Sequence, residues 1–175
     1  MTDARWIEVE DDLDSACRHF GNAAWLADDG GFDEDGIAGY RARMALLHAM
    51  QSAHTSLEAA LRRILDILGE EPPAGGNSHA DLVKRVSRAI PTPGHSRPAI
   101  LPPDVARDVD ESRRFRHRAT HDYDNFDPTL AGPSIEAARR LAASLRPCIA
   151  AFRDRIDPPD ADDGERARGT GRPAP

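Results

Sequence analysis

Trp6, Val9, Leu13, Ala16, Phe20, Ala23 and Ala27 recur at steps of three and four near the start of the chain. That spacing gathers them on one side of a helix and predicts a first helix over roughly residues 3–28. Asp28, Asp29, Gly30 and Gly31 then form a run that ends helices. Tyr40, Met44, Leu47, His54, Leu57, Leu61, Ile64 and Leu68 make the next stripe. They predict a longer second helix over roughly 35–68, with Gly69 as its C-terminal cap. Glu70 to Asn77 holds two prolines and two glycines and reads as a loop, after which Asn77 or Ser78 caps a short third helix carrying Leu82, Val83 and Val86. Pro91-Thr92-Pro93-Gly94 closes that segment. Pro102 and Pro103 suit the first turn of a fourth helix, where a missing N–H costs nothing. Asp122, Asp124, Asn125, Asp127 and Pro128 are turn formers, so the fourth helix is expected to stop near them. Ser134 is expected to open a fifth helix. Its apolar side is Ile135, Ala138, Leu141, Leu145, Ile149, Phe152 and Ile156, bent but not broken at Pro147.

No segment shows the strict alternation of a half-buried strand, and short connections between amphipathic helices favour antiparallel neighbours. The expectation is an all-α antiparallel bundle of about five helices over residues 1–156. From Asp157 the chain is rich in Asp, Gly, Pro and Arg, so burial cannot offset ordering entropy, and residues 157–175 are expected to be a disordered tail.

At 175 residues, 39% hydrophobic and 30% charged, the chain has the make-up of one ordinary domain with a real core. It has no apolar run long enough to cross a membrane, and its opening residues turn acidic instead of leading into a secretory signal, so a cytoplasmic location is expected. Cys17 and Cys148 are too few and too isolated for a disulfide framework or a zinc finger and read as reduced core thiols. A net charge of −7 argues against gripping long nucleic acids through non-specific phosphate contacts. Much of that charge is local. Residues 1–37 hold eleven Asp and Glu against Arg5 and Arg18, which leaves the rest of the chain near +2. Arg113, Arg114, Arg116 and Arg118 crowd into six consecutive residues, either a phosphate-holding spot or a solvated helix face. No Walker A loop, GxGxxG or GxSxG occurs, which removes the commonest phosphate-cradle and serine-hydrolase readings.

Arg116 follows Val105 by eleven positions, so at a helical step it lies only about 20° off the line of Val105 and Val109 and points toward other helices. An inward charge is costly unless it is paired or opens into a cleft. His121 is five residues further on, about 140° away in an unbroken helix, and can join Arg116 only if the helix tightens or unwinds near Thr120–Asp122. An imidazole that moves protons near neutral pH and a guanidinium that offsets charge on a phosphorane are what metal-free RNA cleavage needs.

The segment Phe115-Arg116-His117-Arg118-Ala119-Thr120-His121-Asp122-Tyr123 resembles the Arg-x4-His-x-Tyr motif of the HepT-like branch of HEPN proteins. Its place on the penultimate helix, the acidic Asp-x-Asp-x-x-Asp-Pro follow-on and the Gly75-Gly76-Asn77-Ser78-His79 segment agree with that resemblance. It implies a homodimer whose motif helices meet in a composite cleft and cut RNA without metal or cofactor. Arg116 and His121 would be catalytic, and Arg113, His117 and Arg118 would bind RNA phosphate. The implied partner is a minimal nucleotidyltransferase antitoxin that moves AMP from ATP onto Tyr123. Where many members place Asn or another small polar residue after the motif arginine, this chain has His117. The alternative is a non-catalytic HEPN module that holds a nucleotide or a protein in the same cleft; a plain dimerisation scaffold is a third reading.

Histidines four apart, such as His117 and His121, can bind zinc from one helix face, but no third ligand is evident. Asp122, Asp124 and Asp127 lack the glycine and glutamate of a calcium loop and read as turn and capping residues. His54 beside Gln51 reads as a satisfied core polar pair, and His79 as a helix-start residue. Trp6, Phe20 and Trp25 read as core or dimer contacts in an acidic segment that would repel RNA.

Overall fold

The computed structural model describes residues 4–121 and 131–158, apart from the side chains of residues 95 and 117–121. Five helices account for most of it: α1 (Ala4–Asp29), α2 (Gly36–Ile67), α3 (Ser78–Val86), α4 (Pro103–His121) and α5 (Gly132–Ile156). The apolar stripes decide how they assemble. Trp6, Val9, Leu13, Ala16, Phe20 and Ala23 of α1 are all buried, as are Leu57, Leu61 and Ile64 of α2 and Leu141, Leu145, Ile149 and Phe152 of α5. They belong to one continuous core that Leu82, Val86, Ile100 and Leu101 extend toward α3 and α4. Burial of this apolar surface, at about 25 cal/mol per Å², is the main force that holds the bundle together.

Cross-helix pairs fix the directions. Asp12 accepts from Arg63 at 2.8 Å and Ser15 meets Ser56 at 3.0 Å, so α1 and α2 run in opposite senses. Asp28 pairs with Arg139, Asp14 with Arg146 and Glu10 with Arg153, which sets α5 antiparallel to α1. Ser134 donates to Glu111 at 2.7 Å and Arg140 to Asp108 at 2.8 Å, so α4 and α5 are antiparallel too. The exposed ion pairs among these steer register more than they stabilise, since each is worth at most about 1 kcal/mol in water.

Gly69 ends α2 as expected. Its φ of 70° lets its N–H reach the Asp66 carbonyl at 3.0 Å while Glu70 N–H reaches Leu65 at 2.9 Å, the paired bonds of a Schellman cap. After α3 the structure departs from the expected loop. Ile90–Thr92 (β1) and His95–Arg97 (β2) form a small antiparallel hairpin, with Thr92 opposite His95. Pro93 and Gly94, the latter at φ 81°, supply the residues a type II turn requires. Backbone N–H groups of Ile100 and Leu101 then both bond to the Val86 carbonyl, which returns the chain to the core before α4.

Three further expectations need correction. Tyr40, placed on the buried stripe of α2, is 49% exposed; Trp25 is 63% exposed and not part of the core, since it lies about 200° round α1 from the buried Ala23. Ser134 does not open α5, which starts at Gly132 with Pro133 in its first turn; Ser134 is buried and spends its hydroxyl on Glu111. The helix passes through Pro147 unbroken. The expected turn after the motif falls in residues 122–130, outside the described residues, as does the expected tail beyond 158.

Candidate active site

Val105, Val109, Ser112 and Phe115 are the buried face of α4, and Arg116 continues that face one turn later. The inward direction read from the sequence is therefore the one observed. Arg116 reaches α2, where its Nη1 stands 3.5 Å from Glu58 Oε2, and only 29% of its side chain is exposed.

Glu58 organises what surrounds it. Its Oε1 takes both His79 Nδ1 at 2.5 Å and His54 Nε2 at 3.2 Å, while Oε2 faces Arg116. The other ring nitrogen of His54 meets the Ser112 hydroxyl at 3.3 Å. His54 and Ser112 are fully enclosed and Glu58 nearly so. Burial pushes the Glu58 carboxyl up, but hydrogen bonds and charge from His54, then His79, outweigh it and hold the group at about 2. His79 sits in the first turn of α3 with 42% of its side chain exposed, and both of its ring nitrogens lie 3.5 Å from Arg116 Nη1. Equal distances at that length mean the guanidinium rests against the ring instead of donating to one lone pair.

Helices α2, α3 and α4 thus meet over a carboxylate, two imidazoles and a guanidinium. Two expectations about these residues change. His54 is a satisfied core histidine, but Glu58 and Ser112 satisfy it, not Gln51, which is exposed. His79 does more than start α3, since it binds Glu58 and abuts Arg116. Glu58 was not singled out from the sequence at all, although a glutamate four residues after a histidine on an apolar helix stripe is a readable signal.

Arg113 is held by Asp110 at 2.7 Å and Arg114 by the same carboxylate at 2.8 Å, so part of the arginine cluster is neutralised on its own helix instead of joining Glu58. His117, Arg118 and His121 are placed as backbone of α4, which runs regularly through His121; their side chains, and Tyr123, lie outside the described residues. Among the described residues, no group of three or more His, Cys, Asp and Glu could hold a metal ion, and no helix is long and apolar enough to cross a membrane.

A family model described as HepT-like protein matches residues 45–156, which takes in most of α2, all of α3, α4 and α5, and the Glu58–His79–Arg116 cluster. The chain belongs to the HepT-like family. No curated protein and no solved structure matches it. Within this HepT-like chain, α1 lies outside the matched region yet contributes a full face of the core. A groove of about 330 Å³ between α1 and α5 is walled by Glu10, Asp14, Arg146 and Arg153, paired with one another across it. Another of about 500 Å³ is lined by Lys84, Arg85 and Arg88, on and just past the helix that carries His79.

Proposed function

We propose that this HepT-like protein is a metal-independent endoribonuclease, the toxin of a toxin–antitoxin pair. Arg116 carries this reading. It is a guanidinium held inward at the meeting point of three helices, beside an imidazole, five residues before His121 in a family of HEPN toxin-type modules. Arg116 binds the scissile phosphate and offsets charge on the phosphorane, while His121 moves a proton in the transesterification. Arg113, His117 and Arg118 add contacts to RNA phosphate, and Lys84, Arg85 and Arg88 give α3 the positive surface that the acidic α1 lacks.

α4 runs as helix through position 121, so positions 116 and 121 of one protomer lie about 140° apart round the helix axis, which supports a composite cleft built by two copies whose α4 helices meet. The catalytic domain comprises residues 1–156 and acts in the cytoplasm. A minimal nucleotidyltransferase antitoxin transfers AMP from ATP onto Tyr123, placing bulk and negative charge in a cleft that accepts RNA phosphate.

Purified protein is expected to cleave RNA in EDTA, leaving 2′,3′-cyclic phosphate ends, and Arg116→Ala or His121→Ala to lose that activity. Equal activity in wild type and both variants would sink the reading. One observation favours the second reading, a non-catalytic module that holds a nucleotide or protein: Glu58 already balances the charge of Arg116. That reading predicts ligand binding that depends on Arg116 with no RNA cleavage.

A further inference from the structure

Among the described residues, an imidazole from outside the motif lies against Arg116. His79 comes from α3, thirty-seven residues before Arg116 in sequence, and meets Arg116 Nη1 at 3.5 Å. Its Nδ1 is fixed on Glu58 Oε1 at 2.5 Å, and its side chain is 42% exposed, so the ring is tethered at one nitrogen and open to solvent. The tether is itself braced, because Glu58 Oε1 also takes His54 Nε2 and the enclosed His54 is held in turn by Ser112. A carboxylate on one nitrogen of an imidazole sets its orientation and leaves the other nitrogen to exchange protons with a substrate. His54 has the same carboxylate but is fully enclosed, so of the two rings only His79 can meet a ligand.

We propose that His79, oriented by Glu58, is a second proton-transfer residue of the site and protonates the leaving 5′-oxygen; this rests on the ribonuclease reading above. In the step the 2′-oxygen bonds to phosphorus and gives its proton to His121. The bond from phosphorus to the 5′-oxygen breaks, its electron pair stays on that oxygen, and the proton of His79 Nε2 joins it. The products are a 2′,3′-cyclic phosphate and a 5′-hydroxyl. His79 ends neutral and His121 protonated, and exchange with water restores both. Arg116, against the ring of His79, holds the phosphate whose leaving oxygen His79 must reach. The charged groups on His79 are Glu58 from α2 and Arg116 from α4, and His54 from α2 shares the same Glu58 carboxylate.

The test compares full-length wild type, His79→Ala and His79→Gln in EDTA on two substrates. One is an RNA oligonucleotide; the other is uridine 3′-(4-nitrophenyl phosphate), whose nitrophenolate leaves without a proton. Both variants are expected to lose about 10²–10⁴ in kcat/KM on RNA and to stay within about tenfold of wild type on the nitrophenyl ester. Their pH profile on RNA should lose its alkaline fall and keep its acid rise, since only the general acid has to be protonated. Gln keeps a donor for Glu58 and cannot shuttle a proton, so recovery of RNA cleavage by His79→Gln would show a merely structural role and overturn the proposal. Equal losses on both substrates, or no loss on RNA, would overturn it as well while leaving the Arg116 reading intact. A wild type that cleaves neither substrate overturns both.

Discussion

Arg116 of α4 and Glu58 of α2 face one another at 3.5 Å, with only 29% of the arginine side chain and 11% of the glutamate side chain exposed. A carboxylate in that position works against an incoming phosphate and at the same time fixes His79. Glu58→Gln, which keeps the size and removes the charge, is therefore expected to separate the two effects. An uncleavable 2′-O-methyl RNA should bind about tenfold tighter, because the Glu58 carboxylate no longer competes with phosphate for Arg116. Cleavage of ordinary RNA should fall by at least about tenfold, because the His79 ring loses its charged anchor. Fluorescence anisotropy and a gel cleavage assay read the two quantities. Weaker binding together with unchanged cleavage would contradict both halves.

The same carboxylate makes a prediction about acid stability. Glu58 is held at about 2 against an ordinary 4.5, a depression that corresponds to about 3 kcal/mol. A carboxyl lowered in the folded state contributes its stability above the unfolded value and loses it as pH falls through the folded one. Wild type should therefore exceed Glu58→Gln fully at pH 7, and the gap should narrow by about 2 kcal/mol on going to pH 3. Urea unfolding of both proteins at the two pH values measures it. A gap that stays constant would mean that Glu58 is not held ionised by His54 and His79.

Much of this architecture is legible in residue spacing, and the exceptions have physical causes. Steps of three and four from Trp6 to Ala23 locate the buried face of α1 because a long amphipathic helix repeats its signal many times. The same count extended to Tyr40 fails, since periodicity records which face a residue is on and not whether a neighbour covers it. The hairpin escapes detection because its strands are three residues long, too short for alternation to register, and Pro91 interrupts the first. Arg116 is legible because its direction follows from Val105 and Val109 on the same helix. Glu58 shows only its local link to His54, because its other two partners, His79 and Arg116, arrive from other helices at large sequence separation, where spacing carries no information. His54 lies between the two cases. Its burial was readable from the stripe, while its partners sit four residues onward and across on α4.

Cys148 offers a check on the core that involves no functional assumption. Burial pushes its thiol up to about 11, with Asp104 adding to the effect and Arg155 opposing it, and its Sγ donates to the Ile100 carbonyl at 3.7 Å. Against an ordinary thiol at 9.0 this leaves about a hundredfold less thiolate near pH 8, and only thiolate attacks alkylating reagents. Iodoacetamide should thus modify Cys148 in the native protein about a hundredfold more slowly than in urea. Burial raises Cys17 too, so it should be slowed in the same direction. Peptide mass mapping over a time course resolves the two sites, and fast native labelling of Cys148 would show that α5 does not pack against the Ile100 segment as described.

The buried pair of Arg97 and Glu70 is expected to dominate the stability of the α3–hairpin region. Arg97 is 3% exposed and Glu70 4%. The guanidinium forks onto the carboxylate through Nε and, at 3.0 Å, through Nη2. It also donates to the carbonyls of Arg88 at 2.8 Å, Pro98 at 3.1 Å and Arg85 at 3.3 Å. One side chain on β2 thereby ties together the residue after the α2 cap, the end of α3 and both sides of the hairpin. Removing either partner takes the nearest counter-charge from a group held away from water, although Glu70 keeps Arg85 at 3.6 Å, so Arg97→Ala and Glu70→Ala should each cost about 3–5 kcal/mol. Arg97→Met with Glu70→Leu removes both charges and fills the space, so its loss should be smaller than the sum of the single losses by at least about 2 kcal/mol. The side-chain hydrogen bonds that it removes from the Arg88, Pro98 and Arg85 carbonyls keep that double variant below wild type. Urea denaturation of the four proteins gives the coupling directly. Strictly additive losses would mean that water reaches the pair and screens it, which the burial of both side chains does not allow.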